Sequence, residues 1–558
     1  MSLNAFLMPV IPRFPNVTEN GEVEVLQELP VETLYLALKK ADAESLAWFY
    51  ETALPEQIQG IVDIDCWNGD NFLPERFEQV FRSMIATHPV KLQQLMKRLD
   101  PEIIVRGLLE MCEVGDFDPQ DPPDLEENQF ILSPDSKYIL VFRSQDPETR
   151  EMLMQWMNKL ATADLELLRR HLESCKWEQK ADLEEFGHRI KSGRLEEMGF
   201  VDRTEAVALY ARGNGVEYKK KLLANPLPDG SKRSALAAKS EDGGEETLTS
   251  DMNPTFLPQI LSEPIFGEGL FSQALSRVDS PELKNLLLSE VLRTFNGAMA
   301  ADEVIHGTLE EIATATSRAR RYVDLGLAYL SDNNMDLAAR QIEQYPLGEI
   351  FRLGWLVSQD LVKVAQELRV KYGASFFGRG DEEIINGLTG RHPELTPEMR
   401  RELGINSDTL LTTEAILKAG IRLAMFAQIA QFFSREIAAA VNLEEKHLLP
   451  QESAYARLLA ALFREAAGQD IEAGPLSISE WDRFRPLFQS RGGEARLQEA
   501  ATLIVGRTPD TIRLQFERRL KEHVEELLAF LKSKPEGRPD PRFFRAMAFV
   551  DLGDGAQA

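Results

Sequence analysis

Between residues 23 and 113 the chain repeats one device four times: Leu29-Pro30-Val31-Glu32, Leu54-Pro55-Glu56-Gln57, Leu73-Pro74-Glu75-Arg76 and Leu99-Asp100-Pro101-Glu102. Proline inside a helix removes a hydrogen bond and clashes with the preceding turn. At the first helical position its missing N–H is an orphan donor in any case. An acidic residue in the first turn complements the helix dipole. Each motif therefore predicts a helix start, and the spacings of 25, 19 and 27 positions from one motif proline to the next keep the helices short. Apolar residues recur between the starts at helical spacing, as in Ile103, Ile104, Leu108 and Leu109. Short helices must bury their faces on one another, so residues 23–128 are expected to form an irregular α-superhelix.

The pattern then changes. Asp116 to Asn128 is acidic and proline-rich. Phe130-Ile131-Leu132 and Tyr138-Ile139-Leu140-Val141-Phe142 flank the turn former Ser133-Pro134-Asp135-Ser136, which predicts a β-hairpin over 130–142. One hairpin needs a helical layer, and helices over 147–176 and 179–213 can supply it, giving a stretch 129–213. Residues 214–253 lose periodicity and read as a flexible linker. Residues 254–373 are helical again. There Tyr322, Leu325, Gly326, Tyr329, Ala338 and Ile342 match the spacing of one tetratricopeptide-like helix pair. Residues 374–412 are loop-rich. A C-terminal helical stretch, 413–535, carries an apolar stripe over 413–441 and another on Ile512, Phe516, Leu520, Val524, Leu527 and Leu531. The tail after Lys534 reads as frayed. The expected fold class is mainly α: a short-helix superhelix, one hairpin and a second all-α half.

Composition excludes several functions. A net charge of -27 repels phosphate backbones and anionic lipid, so nucleic-acid binding would need a local basic patch. The best basic run, Lys219-Lys220-Lys221 with Lys232 and Arg233, lies in the expected linker without interleaved aromatics. The longest apolar stretch without a charge, Leu423 to Ser434, has 12 residues where a membrane span needs about 20. The N-terminus lacks the basic region of a signal peptide. Three scattered cysteines, Cys66, Cys112 and Cys175, suit a reducing compartment and exclude a disulfide framework. A cytoplasmic protein without membrane insertion is expected.

Several segments together resemble an uncharacterised bacterial family. They are Leu54-Pro55-Glu56-Gln57 with Asp63-Ile64-Asp65-Cys66-Trp67, Arg194-Leu195-Glu196-Glu197-Met198-Gly199-Phe200, and Tyr322 to Pro346 followed by Phe351-Arg352-Leu353-Gly354. The family is a domain of unknown function, mainly delta-proteobacterial, and it implies no activity. The first hundred residues are also loosely similar to the superhelical N-terminal domain of bacterial magnesium channels. That domain senses magnesium through acidic side chains.

The sharpest chemical pattern is Glu-x-x-His, at Glu185/His188, Glu303/His306 and Glu444/His447. On a helix these positions share a face, and the spacing supplies metal ligands in di-iron bundles. Abundant glutamate also produces it by chance. Glu303, His306 and Glu310 are the best metal candidates. Asp116 to Glu127 mimics a calcium loop, but Asp121 stands where the turn needs glycine and three prolines stiffen it. Asp63, Asp65 and Asp70 around Trp67 are expected to cap and turn the chain. Gly373-Ala374-Ser375-Phe376-Phe377-Gly378-Arg379-Gly380 lacks the Lys-Ser/Thr of a phosphate loop and reads as an interhelical loop. Cys66 and Cys112 read as small core residues. With no nucleophile–base order in view, the expected function is a helical scaffold or adaptor that binds protein partners, with no cofactor. The alternative is a metal-binding enzyme or divalent-cation sensor built on the Glu-x-x-His helices.

Overall fold

The proline motifs start helices as their chemistry requires. The computed structural model describes residues 3–8, 10–11, 21–69, 71–121, 124–126, 128–143, 146–197, 201, 203–226, 265, 267–406, 412–437, 453–470, 474–488, 491–534, 538–539 and 544–549. Pro55, Pro74 and Pro101 each open a helix, whereas Pro30 caps one that begins at Val31. Leu54 N–H also donates to the Gln57 side chain at 3.0 Å, which satisfies one more orphan donor.

Two compact units result: Met1–Arg212 with Lys219–Leu353, and Gly213–Tyr218 with Gly354–Ala558. The first contains helices α1 (Leu3–Leu7), α2 (Glu22–Glu28), α3 (Val31–Leu38), α4 (Ala43–Thr52) and α5 (Pro55–Asp65), the two-residue strands β1 (Trp67–Asn68) and β2 (Asn71–Phe72), then α6 (Pro74–Ala86), α7 (Pro89–Arg98) and α8 (Pro101–Met111). Strands β3 (Cys112–Asp116), β4 (Phe130–Leu132) and β5 (Tyr138–Phe142) follow, then α9 (Pro147–Trp177), α10 (Lys180–Glu197), α11 (Arg203–Ala208) and α12 (Gly215–Ala224). Next come α13 (Leu270–Ser276), α14 (Pro281–Ala301), α15 (Leu309–Ser331), α16 (Met335–Gln344) and α17 (Leu347–Tyr372). Residues 215–218 of α12 and 354–372 of α17 belong to the second unit, which continues through α18 (Arg379–Leu388), α19 (Pro397–Leu403), α20 (Thr413–Phe432), α21 (Ala454–Ala466), α22 (Ile478–Phe488), α23 (Arg491–Arg507) and α24 (Asp510–Ser533). Among the described residues the fold is mainly α with two small sheets.

The hairpin over 130–142 is present, but it does not stand alone. β5 pairs with β4 on one side and with β3 on the other, in the order β3-β5-β4. The sequence placed Cys112–Asp116 at the end of a helix and the start of an acidic loop. It is instead a strand, because Cys112 leaves α8 in an extended conformation and its partner β5 lies far along the chain. The sheet packs on α9 and on one continuous apolar core that draws on α1 to α10 and reaches Ala315 of α15. A turn is expected around Trp67, but the paired strands β1 and β2 that flank it are not. Gly69 adopts a positive φ of 57° there, which glycine takes without steric cost.

Three further readings change. Helix α12 occupies part of the expected linker, and α18 and α19 occupy parts of the expected loop-rich stretch. The tail is not frayed where it is described. Phe544, Met547 and Phe549 are buried in the second core, and Leu476 N–H donates to Ala548 O at 2.8 Å. The tetratricopeptide-like residues do form a helix pair, α15 and α16, with Tyr322, Leu325, Ala338 and Ile342 buried. Residues Thr413–Ile437 form a helical stretch long and apolar enough to cross a membrane by length and composition alone. Its Ala415, Ala419, Leu423, Phe426 and Ile429 line the second core.

His171 on α9 lies inside the first core beside Trp156. Burial lowers its pKa from 6.5 to about 4, partly offset by a hydrogen bond to the Met96 backbone. The unfolded chain therefore takes up a proton below about pH 6.5 that the folded protein refuses. The stability contribution is whole above pH 6.5 and shrinks by up to about 3 kcal/mol as pH falls to 4. Urea midpoints measured across that window should fall less steeply for His171→Leu than for the natural protein. Parallel profiles would refute the assignment.

Candidate functional site

His306 and the acidic segment before Trp67 come together. Helix α14 ends at Ala301, and residues 302–308 turn rather than spiral, with Glu303 at a positive φ of 58°. A new helix then starts at a reciprocal cap, in which Thr308 accepts from Glu311 N–H at 3.3 Å and Glu311 accepts from Thr308 N–H at 2.7 Å. Glu303, His306 and Glu310 therefore share no helical face. Glu310 sits exposed in the first turn of α15. The sequence Thr308-Leu309-Glu310-Glu311 is the readable signal for this break.

His306 points into the first unit. Its Nε2–H donates to Trp67 O at 2.8 Å, and its Nδ1 lies 3.8 Å from Asp65 Oδ1, beyond hydrogen-bond range. Tyr35 Oη lies 3.0 Å from Asp65 Oδ1 and 3.2 Å from Ile305 O, and Lys39 Nζ donates to Gly307 O at 2.9 Å. Burial raises the Asp65 pKa, but His306, Tyr35 and the nearby Arg76 guanidinium bring it below the usual carboxylate value. Burial and the Asp65 charge push the Tyr35 phenol up. The chemistry available here is a clasp that holds turn 302–308 against α3 and α5. Among the described residues, no three His, Cys, Asp or Glu side chains form a group able to hold a metal ion.

Asp63 serves another purpose. Asp63 and Asp65 both lie inside α5, so neither caps a turn as expected. Arg194 of α10 grips the buried Asp63 carboxylate through Nε at 2.6 Å and Nη2 at 2.9 Å, and reaches Asp100 at 3.2 Å. Gln59 completes the group by donating to Asp63 at 2.9 Å and accepting from Asp100 N–H at 2.8 Å. These residues weld α10 to α5 and α8.

The other motifs settle as follows. Glu185 is exposed on α10, while the His188 side chain, Glu444, His447 and Asp70 lie outside the described residues. Phe376 and Phe377 are buried, and positive φ at Gly373 and Gly378 turns the chain between α17 and α18. All three cysteines are free and buried, and burial pushes the Cys112 thiol up to about 12. Asp116, the first position of the calcium-like loop, belongs to β3 and pairs with Lys176 at 2.8 Å. Asp118 accepts from Gln120 N–H at 2.8 Å. Pro122, Pro123 and Glu127 lie outside the described residues.

Sequence reasoning missed the surface at the C-terminal end of α9. Trp177 stands there with 73% of its area exposed. Its Nε1–H donates to Glu173 at 2.8 Å, and the Lys176 ammonium lies 5.1 Å from its ring centroid. Lys176 in turn holds Asp116, and Tyr138 Oη–H donates to Glu173 Oε2 at 2.9 Å. Through Lys176 and Glu173 the indole is linked to Asp116 of β3 and Tyr138 of β5. Asp118, Asp121, Asp124 and Glu126 are exposed in the acidic loop and make no ion pair with any described residue.

A family model described as a family of unknown function, DUF6178, matches residues 18–549. The chain belongs to this family. No curated protein and no solved structure matches it. Both the polar groups joined to α5 and the Trp177 surface fall within the matched residues.

Proposed function

We propose that this DUF6178 protein is a cytoplasmic helical scaffold that acts by binding another protein, with the surface around Trp177 as its docking site. The exposed indole carries this reading. Singly exposed apolar residues are common on protein surfaces, so the reading rests on the chemistry of tryptophan and the contacts that hold it and not on the size of an apolar patch. Tryptophan is also enriched among residues that dominate binding energy. The bond to Glu173 and the contact with Lys176 hold the ring in one orientation, so little side-chain entropy remains to be lost on binding. Three buried free thiols support the cytoplasmic assignment.

The test is a crosslinked pull-down from the source cells with the natural protein and with Trp177→Ala. The expected result is a specific partner retained by the first and reduced about tenfold or more in the second, the loss typical of a binding hot spot. Unchanged thermal unfolding of the variant would separate lost binding from lost structure. Equal retention by both proteins, or no specific partner, would overturn the reading.

A further inference from the structure

Ser453 stands before α21 as its N-cap and accepts from Ala456 N–H at 3.1 Å. Its own hydroxyl hydrogen has a partner 70 positions along the chain, for Ser453 Oγ lies 3.2 Å from Nε2 of His523 on α24. The other ring nitrogen settles the tautomer. His523 Nδ1 lies 2.8 Å from Arg519 O, and a carbonyl can only accept. Nδ1 therefore carries the hydrogen, and Nε2 turns its lone pair to Ser453. Burial lowers the His523 pKa, so the ring is neutral and that lone pair is available at pH 7. A hydroxyl donating to a neutral imidazole that is itself oriented by a third group is the arrangement of an activated nucleophile.

The surroundings fit the same chemistry. The amides of Ala454 and Tyr455 belong to the first turn of α21, where a helix supplies no acceptor of its own. Both residues are buried, and no described residue accepts from either amide. Adjacent backbone donors next to a nucleophile can hold the negative oxygen of a tetrahedral intermediate. The Tyr455 ring lies beside His523, with centroids 5.7 Å apart, and its buried hydroxyl has no hydrogen-bond partner among the described residues. Unpaired buried polar groups are costly and call for a specific reason, catalysis among them. The glycine turn before α18 reaches the pair as well: a Cβ on Gly378 would stand 3.7 Å from His523 Cε1.

We propose that Ser453 and His523 are the nucleophile and general base of an esterase site for small, uncharged acyl groups. This activity goes beyond the scaffold reading and does not depend on it. The substrate class follows from the surroundings. Ser453 is only 5% exposed, which limits the acyl group to a short one, and the rings of Phe433 and Phe516 pack on Tyr455 with centroids 5.2 Å and 5.3 Å away, which favours an apolar one. In the first step Ser453 Oγ bonds to the ester carbonyl carbon while its proton passes to His523 Nε2. The carbonyl oxygen becomes an oxyanion facing the Ala454 and Tyr455 amides. The bond to the leaving alkoxide then breaks, and the alkoxide takes the proton from Nε2, leaving the acyl group on Ser453. Water, losing a proton to the same nitrogen, attacks the acyl carbon, releases the carboxylic acid and returns Ser453 to its starting state.

The experiment treats the full-length protein with a small alkyl fluorophosphonate, which phosphonylates activated serines with loss of fluoride, and locates the adduct by peptide mass spectrometry. Hydrolysis of p-nitrophenyl acetate is followed in parallel. Phosphonylation should occur at Ser453 and approach one group per chain. Ser453→Asn keeps a side chain that can cap α21 but has no nucleophile, and it should unfold near the natural temperature while losing both labelling and ester hydrolysis. His523→Gln should label at Ser453 about a hundredfold more slowly, the lower end of what a positioned base contributes. Failure of the natural protein to label at Ser453 overturns the proposal without recourse to any variant. Labelling at Ser453 that is indifferent to His523→Gln also overturns it, since the hydroxyl is then merely accessible. So does equal ester hydrolysis by the natural protein and Ser453→Asn, which leaves Ser453 as a helix cap alone.

Discussion

Asp381→Ala is expected to destabilise the second unit by about 3–5 kcal/mol, the cost of leaving buried charges without their partner. Asp381 is the only carboxylate among four side chains that meet inside that unit. Arg422 Nη2 donates to its Oδ1 at 2.7 Å, Arg519 donates through Nη2 at 2.7 Å and through Nε at 3.1 Å, and Gln515 approaches Oδ2 at 3.5 Å. All four side chains are buried. Burial disfavours the Arg519 charge, but Asp381 and Glu522 more than reverse this, so its pKa is raised. Glu402, 3.1 Å from Arg519 and 3.6 Å from Arg422, is more exposed and can compensate only in part. Alanine thus leaves Arg422 with only the more distant Glu402, leaves Arg519 to Glu402 and Glu522, and adds a cavity. The group as a whole need not be strongly stabilising, because taking three charges out of water cancels much of their attraction. The triple variant Asp381→Leu, Arg422→Leu, Arg519→Met should consequently lose less stability than Asp381→Ala alone. Hydrogen exchange of α20 and α24 reads the effect within this unit. A loss below about 1 kcal/mol for Asp381→Ala would show that solvent reaches the site.

Local chemistry was legible where it decides the outcome. Proline, an acidic residue and the next apolar pair were enough to place the starts of α5, α6 and α8, because helix initiation depends on groups within one turn. The hairpin was legible for the same reason, since Ser133 and Asp135 build the turn themselves: Ser133 Oγ–H donates to Asp135 at 2.7 Å and accepts from Tyr138 N–H at 3.0 Å. Strand β3 was not legible, because five residues continuing from a helix gain strand character only from a partner that lies across the acidic loop. His306 illustrates the limit most clearly. Its spacing to Glu303 suggested a shared helical face, yet the decisive neighbours, Asp65 and Trp67, are roughly 240 positions away in the chain. A spacing argument holds only if the helix is continuous, and the cap at Thr308 shows that it is not. Asp63 and Arg194 belong to the same class. Each looks like an ordinary surface residue in its own segment, and only packing reveals the pair. Trp177 has no local signal for a different reason: exposure is decided by what fails to cover a side chain, and its own segment does not carry that.

Gly107→Ala should also be strongly destabilising, against the local preference of its helix. In an exposed helix interior alanine is better than glycine by about 1 kcal/mol. Gly107 lies inside α8 and is buried, and a methyl group there would overlap the Phe77 ring at Cδ1, Cε1 and Cζ. The ring cannot step aside easily. It is 1% exposed, its centroid lies 5.6 Å from that of Phe72 and 5.4 Å from that of Phe81, and α6 holds it from behind. Overpacking a core of this kind costs about 1–3 kcal/mol and more where nothing can yield. The steric term therefore exceeds the propensity gain, and a net loss of about 2 kcal/mol, the upper end of the overpacking range less that gain, is expected in urea unfolding. The cause can be isolated by a second change. Phe77→Leu alone should cost stability through lost contacts, but in the Gly107→Ala background it removes the clashing atoms. The double variant should be more stable than the sum of the two single losses implies, with a coupling of about 1–2 kcal/mol between them. Strict additivity would mean that α8 shifts as a unit to accept the methyl group, and that the close approach of α6 and α8 at Gly107 is not what fixes their spacing.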